Sequence, residues 1–341
     1  MSTDDTSIHE PSKTQQNPEP DAYQSPKEGL LSYLPGRVVP YAELMRLERP
    51  AGYFTFYFPH LYGTLYAALR LSSPPPFAQI VRLNLIFVVG SVFLRGAACT
   101  WNDIIDAPFD RQVARCRHRA IARGAVTPVA GFAFTLVQTT LGLGLLTRLP
   151  PLCGLYAFPL ALLMAIYPFA KRFTAYPQIV LGFSLALGQQ VGAAAVGIDP
   201  LSDNSPRALY AMASLYASNV LCAIIVDAVY SHQDLQDDME LGLKSIATAW
   251  QDLTKPLLWL LALSQVLVLA AVGVLLDLGW GYFSPTVLCT AFVLGKMIQK
   301  VKLDEPASCA WWFRHSIYLT GLTQASGLLM TYLARRPAGF S

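Results

Sequence analysis

An all-α, polytopic membrane bundle of about nine transmembrane helices is the fold class this sequence predicts, and three observations lead there. Of the 341 residues, 53% are hydrophobic and only 14% charged, against roughly 25% charged in a soluble globular domain, and the mean hydropathy is +0.39. From about residue 51 onward, apolar runs long enough to cross ~30 Å of hydrocarbon recur between short polar breaks. The cations gather in alternate breaks. The runs are continuous, not alternating, which favours helices over barrel strands, and a helix satisfies its own backbone hydrogen bonds in lipid.

The chain opens on a different composition. Residues 1–40, which include MSTDDTSIHEPSKTQQNPEPDAYQSPKEG, are polar and poor in large apolar side chains, so a disordered tail is expected ahead of a membrane domain at 41–336. The tail has no apolar signal core and no arginine before Arg37, which does not support mitochondrial import. The expected spans follow at 51–70, 78–102, 127–147, 151–170, 178–198, 208–230, 255–277, 281–299 and 315–334. The first contains YFTFYFPHLYGTLY, whose rings pack in a core or face lipid, and His60 and His315 read as structural.

Charge then orients the bundle. Arg111, Arg115, Arg117, Arg119 and Arg123 follow the second span, Lys171 and Arg172 the fourth, Lys244 and Lys255 the sixth, while Lys296, Lys300, Lys302 and Arg314 border the last connection. With nine spans these connections share one face with the N-terminus, and opposite loops such as GIDPLSDNSPR carry few cations; Arg335 and Arg336 run mildly against the pattern. The positive-inside rule makes the cation-rich face cytosolic. A net charge of +3 with no extended basic patch argues against nucleic acid as a partner. The six cysteines lack CxxC or CxxH spacing, so neither a zinc site nor a disulfide framework is indicated.

Two acidic clusters fall on that same face. The first is WNDIIDAPFD, where Asp103, Asp106 and Asp110 share a helical face if the second span continues through Pro108, with Asn102 one residue before it. Pro108 is a place for that helix to bend or end. The second is DAVYSHQDLQDDMELGLKS, where Asp227, Asp234 and Asp238 share a face, with Tyr230 and Ser231 between them and Asp237 offset. The clusters close the second and sixth spans, which suggests two related halves offering acids at one mouth. One aspartate at a span end is ordinary; two such clusters on one membrane face mark function. Stacked carboxylates raise one another's pKa unless cations relieve them. Oxygen-only ligands select a hard ion, and Mg²⁺ characteristically takes one or two carboxylates plus substrate phosphates. Arg115, Arg119, Lys171, Arg172 and Lys244 are cations for the rest of a diphosphate, although the arginines of 111–123 also serve as topology determinants.

These residues resemble the UbiA superfamily of intramembrane prenyltransferases. NDIIDAPFD is similar to its NDxxDxxxD motif, DAVYSHQDLQDD with GLKS to its second motif, RLERPAGYFTFYFP to its opening R-x-(D/E)-(K/R)-P-x-G segment, and YPFAKRFTAYPQIVLG to the stretch after its fourth span. The likeness covers about 41–330 and is strongest toward the 4-hydroxybenzoate polyprenyltransferase branch and its fungal meroterpenoid relatives. It implies nine helices around a central cavity open to lipid. It also implies that Asn102, Asp106 and Asp110, with Asp103 beside them, and Asp234 and Asp238, with Asp227 and Asp237 as auxiliary acids, hold Mg²⁺ and diphosphate. Lys171, Arg172 and Lys244 match the diphosphate-side cations, and Arg46 the arginine near the acceptor cavity. Where the family reads Arg-Pro after the first motif, this chain has Arg119-Ala120, which puts the stiffness of that loop in question.

The chemistry expected from these residues is Mg²⁺-assisted ionisation of an allylic diphosphate, then attack of the cation on an electron-rich ring carbon ortho to a phenol. With no transit peptide seen, the expected donor is farnesyl diphosphate, the acceptor a phenolic polyketide, and the setting an endomembrane such as the endoplasmic reticulum. The alternative is 4-hydroxybenzoate polyprenylation in ubiquinone biosynthesis. A cation-coupled transporter would place its acids near the midplane at broken helices. A CDP-alcohol phosphotransferase would use one compact acidic motif, and a non-catalytic scaffold would leave the aspartates replaceable.

Overall fold

The structure is a computed structural model that describes residues 23–202 and 205–335, and of Lys171 the backbone alone. Among these residues every regular element is helical. After a 3-10 turn at Leu30–Tyr33 come α1 (Val39–Leu44), α2 (Ala51–Arg70), α3 (Phe77–Asp110), α4 (Pro128–Leu146), α5 (Leu152–Phe173), α6 (Pro177–Val196) and α7 (Pro206–Ser231). Two short helices, α8 (Leu235–Glu240) and α9 (Ile246–Trp250), lead into α10 (Thr254–Leu275), then α11 (Trp280–Lys300) and α12 (Pro306–Arg335). Of the expected tail, residues 1–22 lie outside the described residues, while Leu31 is buried in a small cluster with Val39 and Ala42 of α1.

The helix starts are written locally. Thr127 and Ser205 accept from the backbone N–H three residues on, each followed by a proline at the first helical position, which needs no N–H partner there. Gly197, at φ +98°, ends α6 in a left-handed turn that a side chain would strain. Inside α11 the backbone widens into a π-turn over Phe283–Leu288, around Pro285, which has no N–H to donate.

Among the described residues, seven segments are long and apolar enough to cross a membrane: α3, α4, α5, α6, α11 and the stretches built on α7 and α10. The other two expected spans are also helical, as α2 and within α12, but they are less apolar and fall outside that set. The reason is their polar content. α2 is enclosed by α6, α12 and α3, and it carries buried His60 and Thr64; α12 carries buried Ser316, Thr320 and Gln324. A helix surrounded by protein does not need a lipid-like surface. Close contact comes from glycine: a Cβ on Gly63 would sit 1.9 Å from the Gln189 carbonyl oxygen, and one on Gly192 2.2 Å from that of His60. His60 packs 4.7 Å from the Phe87 ring, and His315 stacks on Trp311.

α4 leans on α3, where Gln138 donates to the Thr100 hydroxyl, and α5 leans on α6, where the Ser184 hydroxyl donates to the Leu160 carbonyl. α4 and α5 are consecutive but hardly touch. That separation leaves an apolar cleft between α3, α4 and α5.

Candidate active site

Both acidic clusters are delivered to one end of the bundle. α3 runs through Pro108 to Asp110, so Asn102, Asp103, Asp106 and Asp110 stay in helical register. The second cluster is not one helix. α7 stops at Ser231, a 3-10 turn covers His232–Asp234, and α8 carries Asp237 and Asp238. Gly242, at φ +65°, closes α8, and Leu243 N–H donates to the Asp238 carbonyl in a Schellman turn. The break does not scatter the acids. Asp103, Asp106 and Asp110 from α3 face Asp227, Asp234 and Asp238 across one cavity of about 850 Å³.

Arginines bridge the two sides. Arg115 donates from Nε and Nη2 to both oxygens of Asp234, at 2.7 and 2.5 Å, and from Nη1 to the Tyr230 hydroxyl at 2.9 Å. Arg119 reaches Asp110 at 2.8 Å and Asp103 at 3.3 Å. Arg46 reaches Asp103 at 2.6 Å and the Glu43 carbonyl at 2.9 Å. Arg46 sits at φ +61°, where α1 ends in a turn that usually takes glycine; Arg46 N–H donates to the Glu43 carbonyl and Leu47 N–H to that of Ala42. A non-glycine residue there is strained, and its side-chain bonds to Asp103 and Glu43 offset the strain. Burial works against the charge on Arg46, Arg115 and Arg119, yet neighbours, Asp103 first for Arg46 and Arg119 and Tyr230 with Asp234 for Arg115, hold each pKa above its ordinary value.

The remaining expected residues divide. Asn102 donates to Asp106 at 3.0 Å and lines the cavity. Arg172 also lines it, with Nη2 on the Ile105 carbonyl. Asp237 and Lys244 are not among the lining residues; Asp237 accepts instead from the Ala114 backbone N–H at 2.8 Å and pins the connection that carries Arg115. The side chain of Lys171, at the end of α5, lies outside the described residues. Ala120 does not loosen its loop: Ala120 and Ile121 are buried with Leu44 and Ala107, and packing holds what a proline would otherwise stiffen.

Arg95 was missed in the sequence. It lies in the apolar run SVFLRGAACT, seven residues before Asn102, and two helical turns put it on the acid face. A cation inside a span is the signal that points to it. It is 9% exposed, donates from Nη1 to the Arg49 carbonyl at 2.8 Å, packs over the Tyr53 ring, and makes no ion pair among the described residues. Gly52 makes room for it, since a Cβ there would lie 2.1 Å from the guanidinium.

Two smaller cavities share lining residues with the acidic one. The first, about 420 Å³, is the apolar cleft between α3, α4 and α5, which shares Ala98 and Met164 with the acidic cavity and reaches His60, Phe87 and Leu149. The second, about 180 Å³, is walled by Phe54, Phe56, Phe58 and Tyr62, and shares Arg95, Asp227 and Phe313 with the acidic cavity.

The donor chemistry suits Mg²⁺. The two acidic clusters offer carboxylates, with the Asn102 amide beside them; Asp103 Oδ2 is buried with no hydrogen-bond partner; and burial pushes the pKa of the cavity's Cys116 thiol up, keeping it neutral and a poor soft ligand. No group of three or more His, Cys, Asp or Glu side chains converges on one point among the described residues.

The sequence pattern of the UbiA prenyltransferase family matches residues 56–320. The prenyltransferase ascA of Acremonium egyptiacum is 38% identical over 279 residues, 81% of each chain. The mitochondrial 4-hydroxybenzoate polyprenyltransferase of Saccharomyces cerevisiae is 36% identical over 310 residues, 90% of this chain and 80% of its own. The DMOA farnesyltransferase nvfB of Aspergillus novofumigatus is 35% identical over 254 residues, 74% of this chain and 76% of its own. The fold resembles that of a UbiA homologue from Archaeoglobus fulgidus bound to GPP and Mg²⁺, with a TM-score of 0.60 at 16% identity over 86% of this chain and 99% of that one.

Proposed function

We propose that this chain, which belongs to the UbiA prenyltransferase family and is with it an aromatic prenyltransferase, moves a farnesyl group from its diphosphate to a ring carbon of a phenolic polyketide acid. The observation that carries this reading is the pair of unlike branches meeting at the acidic cavity. One is apolar and elongated; the other is aromatic and holds a buried arginine that makes no ion pair among the described residues.

Donor length follows from the cleft. Ala98 and Phe87 are eleven residues apart on α3, about 16 Å at 1.5 Å per residue. A chain of three isoprene units, with about twelve bonds each advancing about 1.25 Å, extends about 15 Å. The relative described as a DMOA farnesyltransferase supports the same length. A second reading, polyprenylation of 4-hydroxybenzoate, draws on the yeast relative and on the exposed lip of the cleft at Thr139, Leu143, Ala161 and Ala165, where a longer chain would trail into lipid.

Asp106, Asp110, Asp234 and Asp238 would hold Mg²⁺ together with diphosphate oxygens, and the metal's contribution is Lewis acidity toward the leaving group. Arg115 and Arg119, turning from their carboxylates, grip the remaining phosphate charge. The C1–O bond breaks with its electron pair on diphosphate. C1 then bonds to the ring carbon ortho to the phenol, and the ring proton passes to Asp227, the carboxylate common to the acidic and aromatic cavities. Phe56 borders the same junction and offers a π-face to the cation. The cation-rich face is assigned to the cytosol and the membrane to the endoplasmic reticulum.

The test uses membranes containing the full chain, Mg²⁺, a panel of phenolic acids including 4-hydroxybenzoate, and geranyl, farnesyl, geranylgeranyl and longer donors in parallel. The expected result is farnesylated phenolic acid, lost with EDTA and lost in Asp106→Ala combined with Asp234→Ala. Transfer that survives either treatment refutes the mechanism, and a preference for long donors with 4-hydroxybenzoate selects the second reading.

A further inference from the structure

We infer that Tyr23, Glu43 and Arg123 form a clamp that positions the arginine-bearing connection 111–127 over the acidic cavity, and thereby sets donor affinity. None of the three lines the cavity. Arg123 donates from Nη2 to Glu43 Oε2 at 2.6 Å and from Nη1 to the His118 carbonyl at 2.5 Å. Its guanidinium lies 3.8 Å from the centre of the Tyr23 ring, and the Tyr23 hydroxyl donates to the other Glu43 oxygen at 2.6 Å. The Tyr23 and His118 rings are 6.4 Å apart, so the loop backbone beside Arg119 is held from two sides. The Glu43 and Arg123 side chains are only 15% and 13% exposed. A pair so withdrawn from water depends on each partner, because a lone buried charge is costly.

The placement links the clamp to the chemistry. Arg123 follows Arg119 by one helical turn, and Arg119 holds Asp103 and Asp110. The Glu43 carbonyl accepts from Arg46, the other cation on Asp103. At the opposite end of the connection, Asp237 holds the Ala114 N–H. Arg115 and Arg119 therefore sit on a strip of backbone tied at both ends. They reach phosphate only by exchanging partners, and a strip that stays in place lets side chains exchange without loss of the preorganised grip. This inference rests on the reading of Arg115 and Arg119 as diphosphate cations.

The test compares wild type with Arg123→Gln, Glu43→Gln, Tyr23→Phe and the charge swap Glu43→Arg with Arg123→Glu, in the full chain purified in detergent. Two measurements are independent: hydrogen exchange of the 114–124 amides, and steady-state KM for donor and acceptor. Arg123→Gln and Glu43→Gln should speed exchange in 114–124 alone and raise donor KM about tenfold, the size of one charge-assisted hydrogen bond. Acceptor KM should stay within about twofold of wild type. Tyr23→Phe, which keeps the ring on Arg123, should move donor KM in the same direction by about threefold, and the charge swap should recover most of the loss. Unchanged exchange, faster exchange with unchanged donor KM, or an equal rise of both KM values with a lower melting temperature each overturns the positioning role. If wild type transfers no prenyl group to any acceptor, the functional reading fails, while the exchange measurement still judges the clamp.

Discussion

Replacing Arg95 by Met should abolish the enzyme's ability to distinguish a phenolic acid from its decarboxylated phenol. The guanidinium is 9% exposed, anchored by one bond to the Arg49 carbonyl, and faces the aromatic cavity with no ion pair among the described residues. A substrate carboxylate entering there gains a charge-assisted hydrogen bond worth about 1.5–3 kcal/mol. That corresponds to about ten- to a hundredfold or more in kcat/KM. The assay is kcat/KM for the acid and for the decarboxylated phenol, each with wild type and Arg95→Met. The acid should fall by that factor and the phenol change little. Arg95→Lys should recover only part, since an ammonium on a different stem cannot reproduce the guanidinium fork over Gly52. If Arg95→Met lowers both substrates equally, or if the acid keeps its advantage, the carboxylate seat is wrong.

Three further outcomes are expected. Phe87→Ala removes the ring packed on His60 at the end of the apolar cleft, so the ratio of geranylgeranyl to farnesyl transfer should rise several-fold in a competition assay read by mass spectrometry. Gly63→Ala puts a Cβ 1.9 Å from the Gln189 carbonyl oxygen, backbone against backbone, so α2 and α6 must part; a loss of about 3 kcal/mol or more is expected, measured as lowered thermal stability in detergent. On the opposite face, the Tyr156 hydroxyl, and behind it Ser202, donate to Asp199 and hold its carboxyl below the usual carboxylate range. A depressed folded pKa contributes stability that is present above the unfolded value and lost as pH falls through the folded one, so thermal stability should fall below about pH 4, and Asp199→Asn should flatten that part of the curve.

Much of the site was legible because its signals are local. Carboxylates at three- and four-residue spacing on α3 stay on one helical face through Pro108. The second cluster was legible as a set of acids but not as a shape, since the break after Ser231 depends on how α8 turns at Gly242 and returns Asp238 to the cavity. Arg95 was hidden by its surroundings: an apolar run reads as lipid-facing until its neighbours are known. The assignment of Asp237 and Lys244 to the substrate came from motif position, whereas the structure gives Asp237 to the Ala114 backbone. Hydropathy singles out seven of the expected spans because α2 and α12 bury polar side chains such as His60, Thr64, Ser316 and Gln324 against neighbouring helices.

By itself the sequence determined the helical class, the recurrence of apolar segments and the two acidic clusters, because each depends on composition or on periodicity within one segment. Tertiary structure alone decided which arginine meets which aspartate, that two unlike cavities adjoin the acidic one, and that Tyr23 and Glu43 reach Arg123. Those contacts join residues from 80 to 119 positions apart in the cases of Glu43 with Arg123 and Arg115 with Asp234. Pairings at such separation are set by how whole helices pack, and packing is a property of all the surfaces at once.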